Sequence, residues 1–149
     1  MKDNLIIFYV DDDPEDLDVF AETAISAGVD VVPLSDSDDI ASNVLKADGR
    51  DKVIFVDINM PAKSGFDLLK ELRQSDDLKK LPIVAFSTGH DAVTIKKCWD
   101  FGADLFIRKG SSLEQYREIL TAVEAIDWSS FTRDPKAFVL KVQPKENQA

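Results

Sequence analysis

Two apolar runs in this chain end on carboxylates. Leu5-Ile6-Ile7-Phe8-Tyr9-Val10 leads straight into Asp11-Asp12-Asp13, and Val53-Ile54-Phe55-Val56 ends on Asp57, followed by Ile58-Asn59-Met60-Pro61. Short, unbroken apolar runs bounded by charge and stopped by proline read as strands buried on both faces, which is the pattern of a parallel sheet. Both faces must then be covered by helices. The carboxylates stand at the C-terminal rim of the sheet, where open α/β proteins place their ligand chemistry. Acids from two strands crowd together there, an arrangement that is unfavourable unless a proton or a divalent cation intervenes.

The rest of the chain alternates as that architecture requires. Asp13-Pro14-Glu15-Asp16 is a helix start with an acidic cap and proline in the first turn. Leu17, Phe20, Ala21, Ala24 and Ile25 follow at helical spacing, and Gly28 ends the helix. Val29 to Leu34, interrupted by Pro33, reads as an edge or near-edge strand. Ser35 to Asp39 caps a second helix carrying Ile40, Ala41, Val44 and Leu45, with Gly49 beyond it. Ser64 and Asp67 open a third helix that buries Phe66, Leu69 and Leu72.

Leu81 to Phe86 is a fourth strand ending in Ser87-Thr88-Gly89, and a fourth helix runs from Asp91 to Phe101 with Gly102 as its stop. Asp104 to Arg108 is a fifth strand leading to Lys109. Ser111 and Glu114 form a capping box for a helix with Leu113, Tyr116, Leu120 and Val123 on its inner face. The expected fold is α/β: a (βα)5 doubly wound parallel sheet with right-handed crossovers. Residues 1–126 form the domain. Residues 127–149 form an extension in which Trp128, Phe131 and Ala137-Phe138-Val139-Leu140 pack back while the far end, with Pro144, frays.

A length of 149 residues suits one domain with a real core. The formal net charge of −10 argues against nucleic acid and anionic membrane surfaces, both of which favour a basic face. No run approaches the roughly 20 apolar residues that span a bilayer. The N-terminus has no signal-peptide profile. Cys98, the only cysteine, excludes an internal disulfide and fits a reducing compartment, so the expected location is cytoplasmic.

Collecting the strand ends assembles Asp11, Asp12, Asp13, Asp57, Ser87, Thr88 and Lys109 at one rim. Such oxygen donors suit Mg²⁺, with Asp12 and Asp57 as direct ligands, Asp11 holding a bound water and the backbone carbonyl of Asn59 as a neutral ligand. An ionised Asp57 is then placed to act as a nucleophile toward phosphorus. The Ser87 hydroxyl and Lys109 are suited to the phosphoryl oxygens.

Val10-Asp11-Asp12-Asp13-Pro14, Val56-Asp57-Ile58-Asn59-Met60-Pro61 with Gly65, Phe86-Ser87-Thr88, and Gly102-Ala103-Asp104 with Lys109 resemble the receiver domains of two-component response regulators, in order and in register from about Leu5 to Ile126. The resemblance implies a flavodoxin-like sheet of strand order 2-1-3-4-5. It implies Mg²⁺-dependent phosphoryl transfer onto Asp57 from a histidine kinase or a histidine phosphotransfer protein. It implies a switch in which Ser87 moves toward the aspartyl phosphate while Phe106 swings inward behind it. A downstream protein target would read the surface of the fourth helix, fifth strand and fifth helix, and a homodimer is compatible with that scheme. Beyond self-phosphorylation and self-dephosphorylation, no enzymatic turnover is expected.

The chain departs from the family pattern after the lysine, where Gly110 replaces the usual proline; a trans peptide is expected there. Thr88 stands where a smaller residue is usual, and its bulk is expected to slow water reaching an aspartyl phosphate. Phe106 replaces a common tyrosine, so any switch works by packing. His90 reads as a loop residue, Cys98 as a buried structural thiol, and Trp99 and Phe101 as core near the signalling surface. The rival of another class is a haloacid-dehalogenase-like Mg²⁺-dependent phosphatase, but Asn59 occupies the place of its second acid. A receiver-like interaction domain that takes no phosphate is the third alternative.

Overall fold

The computed structural model describes residues 4–47, 49–60 and 64–142. Pro61 and the chain from Gln143 onward lie outside the described residues. The strands are β1 (Leu5–Val10), β2 (Asp30–Leu34), β3 (Asp51–Asp57), β4 (Ile83–Ser87) and β5 (Leu105–Arg108), all parallel, in the order β2-β1-β3-β4-β5. Between and after them lie α1 (Pro14–Ala27), α2 (Ile40–Lys46), α3 (Gly65–Gln74), α4 (Ala92–Asp100) and α5 (Leu113–Glu124). This is the flavodoxin-like order, and β2, which carries Pro33, is at the edge as its sequence requires. Among the described residues, no helix is long and apolar enough to cross a membrane.

Alternation along the strands divides the core into two layers. Ile6, Phe8, Val10, Ile54, Val56, Ile83, Ala85 and Phe106 pack with residues of α2, α3 and α4. Leu5, Ile7, Tyr9, Val53, Phe55, Val84, Phe86, Leu105 and Ile107 pack with residues of α1 and α5. Helix ends follow local chemistry. The Asp13 carboxylate accepts from the Glu15 amide at the start of α1, and Gly28 closes that helix in the left-handed region at φ 77°.

Several expected inner-face residues point outward. Ile25 is 78% exposed, and Leu45 is exposed as well; each sits one residue, about 100° of helix, past the last buried position of its face, Ala24 and Val44. Leu113 is 53% exposed because it opens α5 before the helix reaches the sheet, and Ile119 and Glu118 are buried in that helix instead. Phe66 is half-buried, with Leu68 beside Leu69 and Leu72 taking the inner face of α3. The cap of α5 falls one residue later than Ser111: the Ser112 hydroxyl accepts from the Gln115 amide, and the Gln115 carboxamide oxygen accepts from Ser111 N. Cys98 is fully buried, and burial pushes its thiol up to about 12.

The chain beyond α5 returns along the free side of β5. Phe106 N donates to the Phe138 carbonyl and Leu140 N donates to the Phe106 carbonyl, both at 2.9 Å, giving a parallel bridge between Phe106 and Val139. Phe138 is buried against Trp99 and Phe106, and the buried Trp128 donates its indole N–H to the Val123 carbonyl. Arg133 lies 3.7 Å over the Trp99 ring and donates to the carbonyls of Trp99 and Ala103. Phe138→Ala is therefore expected to cost about 3–5 kcal/mol in urea unfolding, as for a buried core phenylalanine. A loss below about 1 kcal/mol would contradict this docking.

Candidate functional site

The pleat decides which strand-end side chains can meet. Tyr9 on β1, Phe55 on β3 and Ile107 on β5 all face the α1/α5 layer, so two residues further on Asp11, Asp57 and Lys109 face the same way. Pairing of Val10 with Val56 and of Ser87 with Arg108 keeps the strand ends level. Ser87, one residue beyond Phe86, turns to the opposite side together with Phe106. A slip of one residue in any of these strands would send its side chain away from the others.

The result is a compact set of charges. Carboxylate oxygens of Asp11, Asp12 and Asp57 lie within 4.8 Å of one another. The Lys109 ammonium reaches Asp11 Oδ2 at 2.9 Å, Asp57 Oδ1 at 3.1 Å and Asp16 Oδ2 at 2.9 Å. Asp11, Asp57 and Lys109 are all buried, whereas Asp12 is half-buried. An open cavity of about 510 Å³ reaches Asp12, Asp57 and Lys109, and Asp13, Asp16 and Thr88 line it as well.

Two backbone features hold this geometry. A side chain on Gly65 would place its Cβ 2.5 Å from the Asp57 carbonyl oxygen and from the Ile58 Cα, so only glycine lets α3 start this close to the end of β3. A Cβ on Gly110 would approach the Cβ of Gln115 to 2.9 Å, so a side chain there would force the start of α5 to shift. Among the described residues no peptide bond is cis, so the 109–110 bond is trans, as the missing proline suggested.

The second side of the site is organised by Asn59. Its side-chain oxygen accepts from Ser87 Oγ at 3.0 Å and from the amide and hydroxyl of Thr88 at 3.2 and 3.3 Å. Its own amide donates to Asp57 Oδ1 at 3.0 Å. Ser87 is buried and Thr88 is exposed. Phe106 is fully buried beneath Phe138 rather than standing outward at the surface. His90 is exposed, and Trp99 and Phe101 are half-buried.

The strand-end pattern does not mark the Asn59 side chain, Tyr9 or Asp16 as parts of this site. The Tyr9 hydroxyl, at the bottom of the site, donates to Asp11 Oδ2. Alternation from Asp11 back to Tyr9 would have found it. Asp16 precedes Leu17 and lies four residues before Phe20, so it shares the inner face of the first turn of α1.

Electrostatics separate the buried acids. Burial raises the Asp57 carboxyl to about 6 despite the opposing pull of Lys109 and the Asn59 amide, with Asp11 adding to the rise. For Asp11, burial is outweighed by hydrogen bonds from Tyr9, the Asp13 amide and Lys109, which hold it below the usual range. Lys109 is held protonated: burial opposes its charge, but Asp11, Asp16 and Asp57 more than compensate. Burial and then the Asp11 charge keep the Tyr9 phenol protonated as well. A hard, all-oxygen donor set with surplus negative charge fits a Mg²⁺-class cation.

The family model described as the response regulator receiver domain matches residues 7–121. The two-component response regulator ORR3 of Oryza sativa subsp. indica is 34% identical over 103 residues, which is 69% of this chain and 78% of that protein. Among solved structures, the chemotaxis response regulator CheY4 of Vibrio cholerae superposes with a TM-score of 0.66 at 26% identity, covering 80% of this chain and 98% of that one. The phosphorylated cyanobacterial phytochrome response regulator RcpA gives a TM-score of 0.66 at 27% identity, covering 87% and 97%.

Because the folded Asp57 carboxyl keeps its proton to about pH 6, well above its ordinary 3.8, ionising it opposes folding. The opposition is absent below about pH 4 and complete above about pH 6. In buffer free of divalent cations, Asp57→Asn should therefore be more stable than wild type by about 1–3 kcal/mol at pH 7.5. Thermal unfolding across pH should show that advantage shrinking as pH falls from 6 to 4. A destabilised Asp57→Asn protein at pH 7.5 would contradict the assignment.

Proposed function

This chain belongs to the response regulator receiver family, and from that premise we propose that Asp57 is its phosphoacceptor. The observation that carries the reading is the pairing of a buried Asp57 carboxylate with Lys109 at 3.1 Å, next to two further carboxylates. The likeness to RcpA, whose solved structure is of a phosphorylated protein, supports it.

Receiver domains interact with histidine kinases or histidine phosphotransfer proteins, and either would serve as donor here. An Asp57 carboxylate oxygen attacks the phosphorus of a donor phosphohistidine. The P–N bond breaks, and the imidazole departs with its electron pair. Lys109 meets charge that shifts onto the phosphoryl oxygens, and the Ser87 hydroxyl donates to one of them once it leaves Asn59. Asp12, Asp57 and the Asn59 carbonyl, with Asp11 acting through a water, would hold a Mg²⁺ ion, which would neutralise the crowded charge.

The modified domain signals by binding a downstream protein in the cytoplasm, without nucleic-acid or membrane contact and without further turnover. A multiple-turnover phosphatase is disfavoured because Asn59, in the place of a second acid, spends its side chain on Ser87 and Thr88.

Acetyl phosphate with Mg²⁺ should give at most one phosphoryl group per chain, and none should form when a chelator is present from the start or in Asp57→Asn. Steady hydrolysis of small phosphomonoesters would favour the phosphatase. No Asp57-dependent adduct would reduce the protein to an interaction domain.

A further inference from the structure

We propose that Asp16 is a positioning residue for Lys109, an inference that rests on the phosphoacceptor reading and deepens it. An ammonium has three N–H donors, and Lys109 faces three carboxylate oxygens, one each from Asp11, Asp16 and Asp57 at 2.9, 2.9 and 3.1 Å. Asp11 and Asp57 belong to the acid set that suits a divalent cation, whereas Asp16 does not. A cation and the ammonium would therefore contest Asp11 and Asp57, whereas Asp16, among the described residues, lies outside that acid set and anchors Lys109.

The placement comes from the fold. Asp13 caps α1, Pro14 opens it, and Asp16 sits in the first turn directly before the buried Leu17. Lys109 arrives from the end of β5, with its side chain 4% exposed and its ammonium 5.8 Å from the centre of the Phe86 ring. Anchored by Asp16, the ammonium can release Asp57 when that oxygen becomes esterified. The third N–H then turns to a phosphoryl oxygen while the hydrogen bond to Asp16 stays in place. Without Asp16, the lysine either follows the two contested acids or loses its orientation, and both outcomes lower the fraction of sites ready for transfer.

A plainer role exists for an acid in the first turn of a helix, since it favours the positive end of the helix dipole. That role predicts a small stability loss in Asp16→Asn that is independent of Lys109.

The experiment is a double-mutant cycle on the full chain, using acetyl phosphate and Mg²⁺. It compares wild type, Asp16→Asn, Lys109→Gln and the double variant, with Asp57→Asn as the control and thermal midpoints measured alongside. Asp16→Asn should slow phosphorylation about three- to tenfold, the scale of one partly exposed charge-assisted hydrogen bond. In the Lys109→Gln background the same change should have no further effect, and Asp16→Glu should recover part of the rate. An unchanged rate in Asp16→Asn, or an equal slowing in both backgrounds, would overturn the proposal. A wild-type protein no different from Asp57→Asn would overturn the phosphoacceptor reading, and this inference with it.

Discussion

The Lys109 ammonium makes the crowded rim of this sheet tolerable. Asp11 and Asp57 are both buried, and ionised carboxylates that close together strongly disfavour one another in a poorly solvated site. One cation touching both, with Asp16 as a third partner, lets Asp11 stay ionised while Asp57 remains near the point of protonation. The site is thus poised: its charge is only partly balanced, and its carboxylate oxygens and the ammonium converge at one open cavity. Tyr9 contributes from below by fixing Asp11, so that the acid least exposed to solvent is also firmly held.

The same sheet links this rim to a distant surface. Phe106 pairs with Ala85 on β4, two residues before Ser87, and on its other side it bonds to Phe138 and Leu140. The segment after α5 therefore pairs with the outer edge of β5 at Phe106, where both backbone groups of that residue find partners. It also covers the Phe106 ring. The surface near β5 is therefore a composite of α4, α5 and the returning segment.

Much of this was legible in the sequence because apolar runs and their terminal carboxylates obey simple geometry. Strand order at the edge followed from Pro33, and the grouping of Asp11, Asp12, Asp57, Ser87 and Lys109 followed from their place at strand ends. Side-chain direction was harder. Ile25, Leu45 and Leu113 fit a helical repeat but lie at the margin of a face whose orientation only packing sets. Asp16 read as a helix-start charge because its partner is 93 residues away in the chain. The bridge at Phe106 was hidden for a similar reason: Phe138 and Leu140 signal apolar packing, while the strand they pair with is a tertiary fact.

The central claim is that one carboxylate among several at this rim accepts the phosphoryl group. Borohydride reduction converts an aspartyl phosphate to homoserine, so peptide mass mapping after reaction with a small phosphodonor and Mg²⁺ identifies the acceptor directly. With Asp57 as the acceptor, homoserine appears at residue 57 alone. Conversion at Asp11, Asp12 or Asp13, or at no residue, would contradict it.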